Sequence, residues 1–332
     1  MGTKFASLCR GQTSMFITRT HYARPLILVA AFVALTCHRS PSEPSSVSAQ
    51  SSTPSTVTNF KVATWNVRSG MGIAGFTTTA WDSNTTNCTD PSKPMNAWGV
   101  GLPQAELARI RSDTSIVALA IQEAWACGSP SNVNSVVGFK DRTREQNGTA
   151  LLARYGFSGE PTYILLSSKG REEDWLIGGR VCLNASCSES IPMFSTHWSS
   201  LVESARRTVE VLRGQPTPHL FMGDLNVYKV DMWNPSVPCT GADDPARVQA
   251  LDVVEAASYV DAWKTTQSSE GWTGMATRKG CGIPNGNLFK RIDYVFSNGL
   301  RAVSSTRFAR AAPGADSPSD HVGLIAELSP IH

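Results

Sequence analysis

Apolar residues along this chain gather into short runs, and several runs end in a small polar island. Residues 60–64 (FKVAT) lead into Trp65-Asn66, and residues 116–121 (IVALAI) into Gln122-Glu123. Residues 219–222 (HLFM) lead into Gly223-Asp224-Leu225-Asn226, while Ser319-Asp320-His321 stands directly before the apolar run 322–328. A fifth island, Arg291-Ile292-Asp293-Tyr294, falls between the last two. Each run predicts a buried strand, so each island lies at a strand end. Open α/β sheets place their chemistry there.

The same pattern predicts strands at 59–67, 115–122, 149–155, 162–167, 175–183, 191–197, 219–223, 290–296, 301–309 and 321–328, and helices at 102–112, 201–213 and 245–257. Leu201, Val202, Ala205, Val209 and Leu212 recur at helical spacing, and Gly214 stops that helix. Residues 70–101 form a long insertion rich in Gly, Thr, Asn and Trp after the first island. Loops of that length are usually functional or disordered. With Trp81 and Trp98, this one either forms part of a substrate wall or packs on its own disulfide.

Charge changes the picture at the N-terminus. The net charge of +3 is misleading, because Lys4, Arg10, Arg19 and Arg24 precede residue 38 with no acid among them. The remainder carries 26 basic and 27 acidic residues. Tight non-specific binding of duplex DNA usually goes with a basic surplus, so the balance weakens a DNA substrate without excluding one. Residues 25–36 (PLILVAAFVALT) are apolar but too short to span a bilayer as a helix. Behind Arg19 and Arg24 they have the form of a signal-peptide core. Cys37 follows as in a bacterial lipoprotein cleavage site, although Leu35-Thr36 departs from the usual small residue. Residues 1–37 are therefore expected to be an export signal, of lipoprotein type if Cys37 is the cut. Residues 38–58 form a Ser/Pro-rich linker, and 59–332 the folded domain. The expected location is exported: secreted, periplasmic or lipid-anchored, with a membrane tether through Cys37 in the last case.

Six cysteines follow the leader, at 88, 127, 182, 187, 239 and 281. An even number in an exported chain predicts disulfides. Cys182 and Cys187 are close enough in sequence to close a hairpin, and Cys88–Cys127 and Cys239–Cys281 follow by elimination. Without a CxxC pair, zinc is a poor reading. Asn, Asp, Glu and one His converging on a cleft are hard donors, suited to Mg²⁺, with Mn²⁺ or Ca²⁺ as alternatives.

The islands in their order, ATWNV (63–67), IQEAW (121–125), STHWSS (195–200), MGDLNV (222–227), RIDYVFSN (291–298) and SDHVGLIAEL (319–328), resemble the endonuclease/exonuclease/phosphatase superfamily, which includes deoxyribonuclease I. The likeness covers about residues 59–329. It implies a deoxyribonuclease I-like fold, a two-layer β-sandwich flanked by helices (α/β/β/α). It also implies metal-dependent hydrolysis of a phosphate ester.

Carried over residue by residue, the resemblance makes Asn66, Glu123 and Asp320 metal ligands. It makes Asp224 the residue that aligns or deprotonates the attacking water, and Asn226 a donor to the phosphate. His197 would contact a phosphate oxygen or protonate the leaving group. His321 would act as base or phosphate contact, oriented by Asp293. By spacing, Arg180 is a candidate phosphate-binding residue and Glu145 a candidate partner of His197. Asp224 and Asn226 alternate with Leu225, which predicts that both face one side of an extended segment. Trp198, where many relatives carry another apolar residue, either stacks on a substrate ring or belongs to the core. The expected activity is a secreted or surface-tethered Mg²⁺-dependent phosphodiesterase acting on nucleic acid. The rivals are a lipid or inositol-phosphate phosphoesterase on the same site, and a catalytically inactive binding module. No obligate protein partner is evident in the sequence.

Overall fold

The computed structural model describes residues 59–68, 102–125, 128–170, 172–229, 244–269, 271–275, 288–309 and 319–331, all within the unit Pro54–His332. The leader, the linker, the 70–101 insertion and the Cys88–Cys127 and Cys239–Cys281 pairings lie outside them. The first half holds β1 (Phe60–Asn66), α1 (Leu102–Ser112), β2 (Ile116–Gln122), α2 (Pro130–Val137), β3 (Asp141–Arg142), β4 (Ala150–Ala153), β5 (Thr162–Lys169), β6 (Glu172–Cys182) and β7 (Ser190–His197). Then come α3 (Leu201–Arg213), β8 (His219–Asp224), α4 (Pro245–Ala256), β9 (Val260–Asp261), α5 (Ala262–Thr266), β10 (Gly274–Met275), β11 (Leu288–Lys290), β12 (Asp293–Asn298), β13 (Leu300–Phe308) and β14 (Gly323–Pro330).

These strands build two mixed six-stranded sheets, ordered β13-β14-β1-β2-β4-β3 and β5-β6-β7-β8-β12-β9. Side chains from both sheets fill the space between them, among them Val62, Ala118 and Leu151 from one and Met193, Met222 and Val295 from the other. A second core lies between the first sheet and the helices α1 and α2, through Leu107, Ile110, Leu119, Ile121 and Val133. A third lies between the second sheet and α3 and α4, through Phe194, Phe221, Ala205, Leu212 and Leu251. The protein is thus the four-layer α/β/β/α sandwich that the resemblance implies. Strands covered on both faces need apolar residues on both, which is why β2 is buried at all seven positions and reads as an unbroken run.

Helices α1 and α3 occupy the residues expected. The strand expected at 290–296 is divided: β11 pairs with β10 as a separate ribbon, and β12 begins only at Asp293. Between them Arg291 forms an ion pair with Asp261, Nη1 to Oδ2 2.6 Å, and the backbone N–H of Ile292 donates to Thr273 Oγ1 (3.2 Å) and not to a neighbouring strand. Cys182 and Cys187 form the predicted disulfide at the β6–β7 turn. Among the described residues no helix is long and apolar enough to cross a membrane.

Candidate active site

Strand register assembles the site. In the parallel pair β7–β8, His197 stands opposite Asp224, and in the antiparallel pair β8–β12, Asp224 stands opposite Asp293. Three neighbouring strand ends therefore present His, Asp and Asp on one face of the second sheet. In the first sheet, Asn66 pairs with Gln122 at the ends of β1 and β2, which leaves Glu123 just beyond the strand. The segment 319–321 enters β14 beside them. Ser319 Oγ donates to the backbone oxygen of Asn66 (2.7 Å) and accepts from the backbone N–H of His321 (3.1 Å). Trp65 Nε1 donates to the His321 carbonyl (3.2 Å). The two sheets thus meet at one end of the sandwich.

Close approach at that end has backbone consequences. Gly223 has φ +152°, and a Cβ there would lie 1.8 Å from the Thr196 carbonyl, so only glycine lets β8 meet β7 next to Asp224. Glu123 and Asn226 have φ +48° and +53°, sparsely populated for residues with side chains. Non-glycine residues held in this region cluster at functional sites. The turn at Asn226 also corrects the expectation of an extended segment. Its backbone N–H folds back onto Asp224 Oδ1 (2.9 Å), and this turn brings the two side chains together, not alternation along a strand.

Asp224 is the hub. Its Oδ2 accepts from Asn66 Nδ2 (3.0 Å) and lies 3.5 Å from His197 Nε2 and 3.6 Å from His321 Nε2. Asn226 Nδ2 lies 3.2 Å from His197 Nε2 and donates to the Trp198 carbonyl at 3.0 Å. His321 Nδ1 lies 2.9 Å from Asp293 Oδ2, and Thr273 Oγ1 accepts from the backbone N–H of Asp293 at 3.1 Å. Burial works against the charged form of His197, but the hydrogen bond and charge of Asp224, with Glu123 adding, push it up to about 9. Burial likewise opposes charge on His321, and Asp293 and Asp224 outweigh it and push it up to about 10. Burial would raise Asp224, yet the two histidines hold its carboxyl well below the usual range. Burial pushes Asp293 up. Both rings are thus held towards the charged form by the aspartates they face.

Asn66 also donates to Glu123 Oε1 at 3.0 Å. Arg68, two residues after Asn66, adds a cation. It is 3% exposed, with Nε 3.8 Å from Asp320 Oδ1, and the charges of Asp320 and Glu123 offset the burial that lowers its pKa. Asp320 Oδ1 is buried with no hydrogen-bond partner among the described residues. A buried carboxylate oxygen without a donor fits a divalent cation, and Glu123 and Asp320 are hard oxygen donors of the right kind. Glu123 with His197 and Asp224, and Asp224 with Asp293 and His321, are two groups compact enough to enclose an ion. As oriented, Asn66 turns its amide nitrogen to Glu123, so a ligand role asks the amide to turn over.

Two candidates do not join the cluster. Arg180 is exposed and lies opposite Pro192, five residues along β7 from His197 and towards the far end of the sheet, where it donates to Ser190 Oγ and O (3.1 and 2.7 Å). Glu145 accepts from the backbone N–H of Gly148 and closes its own turn, so its spacing from His197 carries no contact. Trp198 is fully buried and stacks on Phe221 at 6.2 Å, which makes it core. The residues missed are Arg68, Ser319, Asp174 and Lys290. Ser319 opens the last island and Arg68 closely follows the first, so both carried a sequence signal without an assigned role, whereas Asp174 lies in no island and Lys290 only at the edge of one.

The sequence profile described as "Endonuclease/Exonuclease/phosphatase family" matches residues 63–321. A search of curated proteins finds no match. Among solved structures the chain is similar to the endonuclease/exonuclease/phosphatase from Beutenbergia cavernae, with TM-score 0.52 and 17% identity over 82% of this chain and 72% of that one. It is similar, with the same TM-score and identity, to a family protein from Bacteroides thetaiotaomicron over 82% and 95% of the two chains. D. rerio TDP2 complexed with a single-strand DNA product has TM-score 0.50 and 12% identity, over 82% and 99%. At these identities the likeness is one of fold.

Proposed function

From the premise that the chain belongs to the endonuclease/exonuclease/phosphatase family, we propose that it is a divalent-metal-dependent phosphodiesterase, using Mg²⁺, that hydrolyses nucleic acid. One observation carries the reading: two histidines raised to about 9 and about 10 flank one buried aspartate beside a rim of hard oxygen donors. Cations aimed at a pocket suit a phosphate, and an aspartate kept ionised between them suits the orientation of a water.

In this mechanism Glu123 and Asp320 would hold the ion, with Asn66 beside them, and the ion would supply neutralising charge for the phosphate. The remaining steps belong to the chain. Asn226 Nδ2 and the imidazolium of His197 donate to a phosphate oxygen, and their 3.2 Å separation lets both reach one oxygen. His321, fixed through Nδ1 by Asp293, directs Nε2 to the same pocket and neutralises a second oxygen. Asp224 accepts a proton from the attacking water. With its pKa depressed it is a weak base, so its main contribution is orientation.

Nucleic acid is favoured over a lipid with a single phosphodiester by the cations beyond the reacting centre, Lys290 and Arg247, which lie against Tyr228. That a protein of this fold, D. rerio TDP2, was solved with a single-strand DNA product is in keeping with it. We further propose export. The leader supports it, as does the Cys182–Cys187 bridge, since disulfides persist in oxidising compartments. The test is purified protein with Mg²⁺ or EDTA against single-stranded DNA, plasmid DNA, RNA, sphingomyelin and inositol phosphates. Metal-dependent cleavage of a nucleic acid is expected. Turnover of lipid or inositol phosphates alone would overturn the substrate class.

A further inference from the structure

The two histidines are joined by a second route around the site. Gly274 bridges His321 on one side and pairs with Lys290 on the other. The lysine stem lies across that glycine: a Cβ on Gly274 would stand 3.3 Å from Lys290 Cγ and Cε. Lys290 Nζ is then 5.5 Å from the centre of the Tyr228 ring, and Arg247 Cζ is 4.9 Å from the same ring. Arg247 Nη1 donates to the backbone oxygen of Asn226, and its Nε donates to Asp244 Oδ2 at 3.2 Å. Asn226 leads back to His197. The arc therefore runs from His321 through Lys290, Tyr228 and Arg247 to Asn226, and both ends are phosphate-facing groups.

We propose that Lys290 and Arg247, gathered around Tyr228, form a subsite for a second phosphate of the substrate, adjacent in the strand to the one that is cut. The proposal rests on the nucleic-acid reading and adds the feature of the substrate that is recognised. The chemistry follows from charge. Burial lowers the Lys290 pKa and Arg247 repels it further, while the more central Asp224, Asp320 and Asp293 hold it up. A phosphate reached by both side chains gains from two positive charges at once. The Tyr228 ring gives each cation a quadrupole to rest on. A phosphomonoester or a single neutral-ended diester has nothing to place there, whereas a nucleic acid strand carries a phosphate at every nucleotide.

The test compares kcat/KM of the full-length protein with Mg²⁺ on three dinucleotides: one with free 5′ and 3′ hydroxyls, one with a 5′-terminal phosphate and one with a 3′-terminal phosphate. The wild type is expected to prefer one phosphate-bearing dinucleotide by about tenfold, mainly through KM. Lys290→Gln should bring that ratio close to one, and Lys290→Arg should keep most of it. Lys290→Met retains the stem packed on Gly274, so it gives the same reading should Gln disturb the ribbon. Cleavage with no preference between the three substrates overturns the subsite and leaves the nucleic-acid reading standing. An equal loss on all three in Lys290→Gln also overturns it, because the lysine would then act at the reacting phosphate. If the wild type cleaves no nucleic acid but does cleave another phosphodiester, the substrate class and the subsite fall together.

Discussion

His321 and Asp293 form a buried pair, with Nδ1 and Oδ2 2.9 Å apart and neither residue more than 7% exposed. The carboxylate fixes the ring and leaves Nε2 for the pocket. His321→Ala is expected to lower kcat/KM by about 10²–10⁴-fold, the usual scale for a positioned proton-handling group. Asp293→Asn should cost less. The double variant should be little worse than His321→Ala, because residues acting as a unit are not additive. Fully additive losses at one saturating Mg²⁺ concentration would mean that the two act separately.

The raised histidines make stability depend on pH with a definite sign. A histidine whose folded pKa exceeds the unfolded value near 6.5 contributes fully below 6.5 and loses that contribution as pH rises to its folded value. Here those values are about 9 for His197 and about 10 for His321. The melting temperature of the metal-free protein should therefore fall between pH 6.5 and 10. In the His197→Gln/His321→Gln double variant the slope should flatten. A wild-type melting temperature that is level or rising over that window would contradict the assignment.

Glu123→Gln keeps the acceptor oxygen that receives Asn66 Nδ2 and removes only the charge. Activity at saturating Mg²⁺ should drop by at least about a hundredfold, as expected for loss of a charged metal ligand. Metal-free melting should hardly change, because the hydrogen bond persists. Calorimetric titration with Mg²⁺ should show weakened binding. Near-normal turnover with unchanged affinity would remove Glu123 from the metal site.

The sequence displayed most of this site because strand ends concentrate it. Asn66, Glu123, Asp224 and Asp293 each follow or open an apolar run, and the four-layer fold makes those runs continuous enough to see. What stayed hidden has different physics. Arg180 has the right residue type on the right strand, but register places it five residues from His197. Helix α2 has the weak composition PSNVNSVV, and periodicity misses it. Its caps were nevertheless written in the sequence: Ser129 accepts from the Asn132 N–H, Pro130 opens the helix and Gly138 closes it at φ +66°. Lys290 approaches the site with its stem against Gly274, a relationship between segments that no local pattern records.

Asp174 is the residue whose importance only the fold reveals. It sits on β6, 2% exposed, and accepts from Ser199 N–H (2.9 Å), Ser199 Oγ (2.6 Å), Ser200 N–H (2.8 Å), Ser167 Oγ (3.1 Å) and Ser204 Oγ. Ser200 is the N-cap of α3 yet makes no side-chain cap bond of its own, so the aspartate serves that helix end from across the sheet. A carboxylate at a helix N-terminus is also favoured by the helix dipole. The turn it secures begins immediately after His197 and Trp198. Asp174→Asn keeps the shape but sets an amide NH₂ against donors, so at least one buried donor loses its acceptor. The expected cost is about 3 kcal/mol, read by urea denaturation. The looser turn should also lower kcat through His197, so adding Asp174→Asn to a His197→Gln background should reduce turnover little further. If the substitution leaves stability unchanged, or lowers turnover equally with and without His197, then Asp174 does not position the histidine.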